Sequence, residues 1–322
     1  MSTVTAPGPS APTGVRRKAA GRPARPARPA RPVRRAIRPG EPEEALEVAS
    51  SALTVVAIVC VWLVLQLLVL GGLSQLRAQH LLYDQFRGEL AAATAPTGAV
   101  DYQGATVQRG APVALLSIPA LHTEQVVVQG TSSRDLMAGP GHLPSTVLPG
   151  QQGTSVVMGR ASTYGAPFRR LAELVPGDQI VVRNAEGTVT YQVTGVRRAG
   201  DPVPPAPTGT QSRLTLVSAA STGALSALRP SEAIFVDATA AKGTGAGYVV
   251  GAADSDRAMA RDTSVLPLLS LCLALLIALV LAVSAARRRV RTSLVWLVAV
   301  PVAIALAWVT TDQVVALLPN LM

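Results

Sequence analysis

Three stretches almost free of charge, Ala52–Leu73, Val265–Ala286 and Ser293–Val309, divide this chain of 322 residues. A helix needs about 20 apolar residues to cross roughly 30 Å of hydrocarbon, so each stretch predicts a membrane span. What remains for a water-facing fold is thereby bounded. Only Asp101–Ala241 is long and regular enough to build a core of its own.

The boundaries follow from composition. Residues 1–50 read as a disordered Arg/Pro-rich tail: an Ala-Arg-Pro triplet repeats from Ala24 to Pro32, and proline at every third position forbids a regular helix. Residues 51–74 are the first span. Its apolar core is longer than a signal peptide's, and Gly71-Gly72-Leu73-Ser74-Gln75 is a poor cleavage site, so an uncleaved anchor is expected. Residues 75–100 read as a juxtamembrane helix and linker, with Leu76, Leu81, Leu82, Phe86 and Leu90 at partial helical spacing. After the 101–241 domain, residues 242–264 form a Gly/Ala-rich linker. Residues 265–286 are the second span, 287–292 an Arg-rich turn, 293–311 the third span with Pro301 inside it, and 312–322 a short tail.

The formal net charge of +10 is local. Arg16, Arg17, Lys18, Arg22, Arg25, Arg28, Arg31, Arg34, Arg35 and Arg38 precede the first acid, Glu41. A second cluster, Arg287-Arg288-Arg289-Val290-Arg291, joins spans two and three. By the positive-inside rule both clusters are cytoplasmic, which puts the 101–241 domain outside the membrane. The tail is suited to anionic lipid or another polyanion. The domain itself is near neutral and offers no basic face for specific nucleic-acid binding. The two cysteines, Cys60 and Cys272, both lie in apolar stretches, where a thiol is a small hydrophobe rather than a nucleophile.

Within the domain, short Val/Ile-rich runs recur at Val113–Ile118, Gln125–Val128, Ser155–Met158, Gln179–Arg183, Val189–Val196, Leu214–Val217 and Ala233–Val236. Turn signals such as Pro176-Gly177-Asp178 and Asn184-Ala185-Glu186-Gly187 separate them. The pattern predicts a mainly β fold, a barrel or sandwich.

The stretch from Leu148 to Leu174 carries more. A Pro149-Gly150 turn leads to a strand ending at Met158, then Gly159-Arg160-Ala161, then Thr163-Tyr164-Gly165-Ala166-Pro167-Phe168 and a short helix after Pro167. This order is similar to the central signature of sortases, the cysteine transpeptidases of Gram-positive cell surfaces. Gly110–Pro119, Val126–Thr131, Gly139-Pro140-Gly141-His142, Leu174 with Gly177–Val182, Tyr191–Val193 and Leu214–Ala219 resemble further blocks of that family in the right order. The resemblance implies a closed β-barrel of about seven to eight strands, joined here to three transmembrane helices. The high Ala, Arg, Pro and Gly content suits an actinobacterial, GC-rich source.

The resemblance also marks a departure. Sortase chemistry uses a Cys nucleophile, a His that moves protons and an Arg that steadies the oxyanion. At the matching positions this chain has Ala219, Arg160 and Ala233. Alanine offers no nucleophile, and a guanidinium does not serve as a base. No catalytic, cofactor or metal residue is therefore assigned. The surviving groove is expected to be lined by Arg160, Tyr164, Val217, Ser218, Ala219 and Arg229. His142 reads as a loop-packing residue.

The expectation is a membrane-anchored pseudoenzyme that binds, as scaffold or regulator in envelope assembly. Its partner would be an extended sorting-signal-like peptide, a surface protein or an active sortase. Two alternatives stand beside it: a membrane adaptor that recruits a cytoplasmic partner through its Arg-rich tail, and an acyl transferase using Ser218.

Overall fold

The computed structural model describes residues 61–220, 232–249, 251, 253–286 and 292–322. The Arg-rich tail, the start of the first apolar stretch at 51–60, Arg229 and the Arg287–Arg291 cluster lie outside the described residues.

Eight strands close into one barrel: β1 (Pro112–Ile118), β2 (Thr123–Gln129), β3 (Gly141–His142), β4 (Gly153–Met158), β5 (Gln179–Asn184), β6 (Gly187–Arg198), β7 (Ser212–Ala219) and β8 (Ala233–Ala240). Around the barrel the order is β1-β2-β3-β4-β7-β8-β6-β5. The β2/β3 and β4/β7 pairs are parallel and the other contacts antiparallel. Closure removes most of the sheet edge, and where β3 stops short along β2 the Gln79 side chain bonds the main chain of Val126.

Strand alternation sets what lies inside. Val157, Leu214, Leu216, Ile234, Val236 and Ala238 point inward and join one core with Leu116, Ile118, Ile180, Tyr191 and Phe168. Tyr191 keeps its hydroxyl satisfied there: it accepts from Gly150 N at 3.0 Å and lies 2.7 Å from Ser212 Oγ. The alternate residues, Met158, Val217, Ala219 and Ala233, form a second cluster on the outer face.

Helix α1 (Gly71–Ala91), which follows a π-helical turn at Gln66–Leu70, is part of the packing and more than a connector. Its Leu82 and Phe86 bury against Leu115, Val126 and Val128 on the outside of β1 and β2. Gln79 completes the fit, donating to Ala138 O at 2.8 Å and accepting from Val126 N at 2.7 Å.

Helices α2 (Leu266–Ala286) and α3 (Thr292–Ala316) follow the barrel. Two segments among the described residues, Thr263–Val283 and Leu297–Ala316, are helical, long and apolar enough to span a bilayer. The expected third, Ala52–Leu73, is not among them, because its first half lies outside the described residues and its second half runs on into the polar α1. The helix expected after Pro167 is a single 3-10 turn, Leu171–Glu173.

The Gly-rich stretch after β8 follows the barrel surface. Gly243 N donates to Thr210 O, Thr244 N to Gly150 O and Gln152 N to Gly245 O, all at 2.8–2.9 Å. Further on, Arg109 pairs with Asp135 and Asp256, and Thr131 Oγ1 donates to Asp256 O at 2.7 Å. These bonds fix the loop after β2 that forms one wall of the site.

Candidate peptide cleft

The ends of β4, β7 and β8 define the site. Ala219 and Ala233 are direct partners across the β7/β8 ladder. Gly159 N donates to Val217 O at 2.9 Å, which sets the residue after it, Arg160, against the end of β7. A Cβ on Gly159 would collide with the Phe168 ring, so the chain can pass here only as glycine. The three positions singled out by the family resemblance therefore meet at one place, with Ala161 beside them in the same apolar cluster.

Arg160 is wholly buried. Its Nη2 donates to Ser133 O at 2.7 Å and Ser133 Oγ at 2.9 Å; its Nη1 donates to Thr163 Oγ1 and Met322 O, each at 3.0 Å. The Ser133 carbonyl and the Ser133 and Thr163 hydroxyls are neutral acceptors. Burial pulls the guanidinium down to about 10, against the opposing influence of Tyr164, so it is still a cation at neutral pH. The group that occupies the family's histidine position is thus a buried hydrogen-bond donor that neither accepts nor releases a proton in the working range.

Tyr164, Gly165 and Ala166 form three successive left-handed residues (φ 49, 75 and 45°). Such backbone persists only where packing over-determines it. Here Tyr164 stacks 5.2 Å under the Arg160 guanidinium and donates its hydroxyl to Asp312 Oδ1 at 2.8 Å. Burial, and then Asp312, raise its phenol well above the ordinary tyrosine range. Tyr164 therefore joins the cleft to α3 and does not line an open groove.

Ser218 is the clear correction. It was expected at the groove because it adjoins Ala219 in sequence, but adjacent residues of a strand face opposite sides. Ser218 shares the inward parity of Leu214 and Leu216, is fully buried, and donates to Gly159 O at 3.0 Å. Among the described residues its other hydroxyl contact is Phe168 O at 3.4 Å, so no base reaches it. His142 is equally remote from that role. Its Nδ1 lies 2.8 Å from Gln129 Oε1 and its Nε2 2.8 Å from Val147 O; burial pushes its pKa down to about 4, against the bonds to Val147 and Thr146. His80 and His122 are exposed.

Val217 does line the outer face. With Met158, Phe235, Arg197, Val203 and Pro204 it borders a groove of about 530 Å³ along β4, β7 and β8. Arg197 is set there by an ion pair to Asp237 at 2.6 Å and by stacking 4.3 Å over Phe235, while Thr215 Oγ1 donates to the same Asp237 at 2.6 Å. Sequence reading missed Arg197 and Asp237. Both occupy outward parity on their strands, beside Phe235, and that alternation was the available signal.

The sequence reading also did not anticipate what covers the alanines. Residues Pro319–Met322, after the end of α3, lie over them. Leu321 is fully buried and belongs to the cluster of Ala161, Ala219 and Ala233.

The sortase-domain profile matches residues 116–250. Sortase D of Bacillus subtilis (strain 168) is 34% identical over 86 residues, which are 27% of this chain and 42% of that protein. The chain thus aligns with less than half of that relative's length. A Clostridium perfringens sortase D5 transpeptidase is 17% identical over 52% of this chain and 98% of its own, with a TM-score of 0.40. The SrtA sortase of Actinomyces oris is 28% identical over 42% of this chain and 83% of its own, with a TM-score of 0.37. Taken with the eight-stranded barrel and the ordered signature blocks, the profile and the Sortase D match support a sortase domain at residues 116–250 of this chain.

Proposed function

We propose that this protein is a membrane-anchored sortase-family module that has given up transpeptidation and binds an extended peptide. One observation carries the reading: Ala219 and Ala233 face each other across β7 and β8 beside a buried Arg160. A nucleophile and a proton-transferring group each contribute orders of magnitude to acyl transfer. Among the described residues of the site, neither role has a side chain. A groove along β4, β7 and β8, lined by Met158, Val217 and Phe235, supports the peptide-binding reading.

The anchor is the α2/α3 pair, with the first apolar stretch as a third span. The two Arg-rich clusters place the N-terminus and the loop before α3 in the cytoplasm and the barrel outside. The module then works in envelope or surface-protein assembly as scaffold or regulator.

The decisive test is incubation of the purified full chain with extended peptides and an amine acceptor, followed by mass spectrometry. No cleaved peptide and no covalent acyl-protein is the expected result. Turnover that disappears in Ser218→Ala would sink the reading. Deleting residues 1–40 separates the adaptor alternative, since peptide binding should survive that deletion.

A further inference from the structure

The cover over the cleft is built like a ligand. After Ala316 the chain turns on bonds from Leu317 N to Val314 O and Leu318 N to Val315 O, and then enters the cleft. Asn320, fully buried, donates from Nδ2 to Thr131 O at 2.8 Å and Arg257 O at 3.0 Å, and its N–H donates to Ala260 O at 3.0 Å. Ala161 N donates to Leu321 O at 3.0 Å. Arg160 Nη1 and Thr163 Oγ1 both donate to Met322 O, at 3.0 and 2.6 Å. The main-chain oxygens of Leu321 and Met322 are thus read by the loop after β4, while the Leu321 side chain fills the apolar floor of Ala161, Ala219 and Ala233.

The fit explains two features at once. Alanines at 219 and 233 leave room for a leucine-sized side chain. Arg160 gains Met322 O as an acceptor and a cover that excludes water from a buried cation. Bonds from Ser133 Oγ to Val315 O, Arg134 Nη2 to Gln313 Oε1 and Tyr164 to Asp312 dock the end of α3 on the same loops.

We propose that Pro319–Met322 is a tethered peptide ligand of the cleft. Its site takes a turned segment, closed by Met322 N donating to Pro319 O at 3.1 Å, in which a leucine-sized apolar side chain is followed by two consecutive main-chain acceptor oxygens, and an outside peptide of that class enters only by displacing the tail. The proposal rests on the peptide-cleft reading above. The tether sets the competition: an intramolecular segment on a short connection acts at an effective concentration on the order of millimolar. The tail therefore holds the barrel against α3 until a tighter or locally concentrated peptide arrives.

The test uses the full chain in nanodiscs, with Cys60→Ser and Cys272→Ser to remove native thiols and Ala219→Cys to report on the floor. A charged maleimide should label the introduced thiol at least tenfold faster once residues 319–322 are deleted or Leu321→Asp is added, while Leu321→Met should keep the protection. Equal rates in all three overturn the tail as occupant. A synthetic peptide of residues 314–322, added to the deleted protein, should restore protection, and a scrambled peptide should not. Protection by the attached tail alone, never by the free peptide, overturns its standing as a ligand. Failure of every peptide tried, the extended ones and this one alike, to protect or bind the deleted chain would instead bring down the peptide-cleft reading.

Discussion

Phe168 and Leu321 are both fully buried, and both lie beside the end of β7, yet they are buried in different ways. Phe168 sits inside the barrel with Leu171, Leu214 and Leu216, enclosed by strands that pair all the way round. Leu321 sits on the outer face of the same sheet and is enclosed only because its own segment folds back over it. Burial of the first is a property of the closed sheet; burial of the second is a docking equilibrium. Equal exposure therefore predicts unequal energetics, and substitution should reveal the difference.

The largest effect belongs to the interior. Phe168→Ala removes a ring that packs across Gly159 and among core leucines that cannot collapse into the space. It should cost about 3–5 kcal/mol, the range for large-to-small changes at enclosed aromatics. Denaturant unfolding of the full chain in detergent, followed by circular dichroism, reads this. A loss below about 1 kcal/mol would mean the interior is as adaptable as the cleft.

The next effect is a pH dependence. His142 is buried with its pKa pushed from 6.5 to about 4. Below its unfolded value the unfolded chain binds a proton that the folded chain refuses, so stability falls as pH drops from about 6.5 towards 4. A shift of that size corresponds to about 3 kcal/mol across the window. Unfolding of the full chain at pH 7, 5.5 and 4.5 should show the decline, and His142→Gln should flatten it. An unchanged slope in that variant would assign the acid sensitivity to other groups.

On the outer face, Arg197→Met should cost about 2 kcal/mol. It strips a buried Asp237 of its ion pair and leaves Thr215 Oγ1 as the side-chain donor seen on that carboxylate. Arg197→Met combined with Asp237→Leu should recover most of the loss, because removing both partners leaves no unpaired charge. Thermal melts of the three variants decide it.

How much of this contrast was legible in the sequence follows from where the information lies. The interior was largely readable: Val113–Ile118, Leu214–Val217 and Ala233–Val236 are dense Val/Ile/Leu runs, and each became a strand. The ordered blocks around Leu148–Leu174 identified the barrel. The meeting of Ala219, Arg160 and Ala233 was readable only through that resemblance, since the chain brings them together across loops. Ser218 was misplaced because neighbourhood in sequence was taken for neighbourhood in space, although the parity of Leu214 and Leu216 already turned it inward. The Pro319–Met322 contact had no sequence signal at all. Four residues show no period, and their partners near Thr131, Arg160 and Arg257 are about 60 to 190 positions away.

The smallest expected effect is the most discriminating for the comparison. Leu321→Ala deletes as many buried heavy atoms as an interior Leu→Ala change, for which about 2–5 kcal/mol is usual. The tail has an escape that a barrel strand lacks: it can undock while the rest of the chain stays folded. The global loss cannot then exceed the free energy of docking, which a few hydrogen bonds and one leucine hold close to balance against the entropy of ordering the segment. A loss of about 1 kcal/mol or less is therefore expected in denaturant unfolding. Amide exchange should show the change more strongly, with Ala161 and Asn320 losing protection while Leu216 keeps it. If Leu321→Ala destabilised the barrel as much as Leu216→Ala does, the tail would be part of the core, and the two kinds of burial would be one.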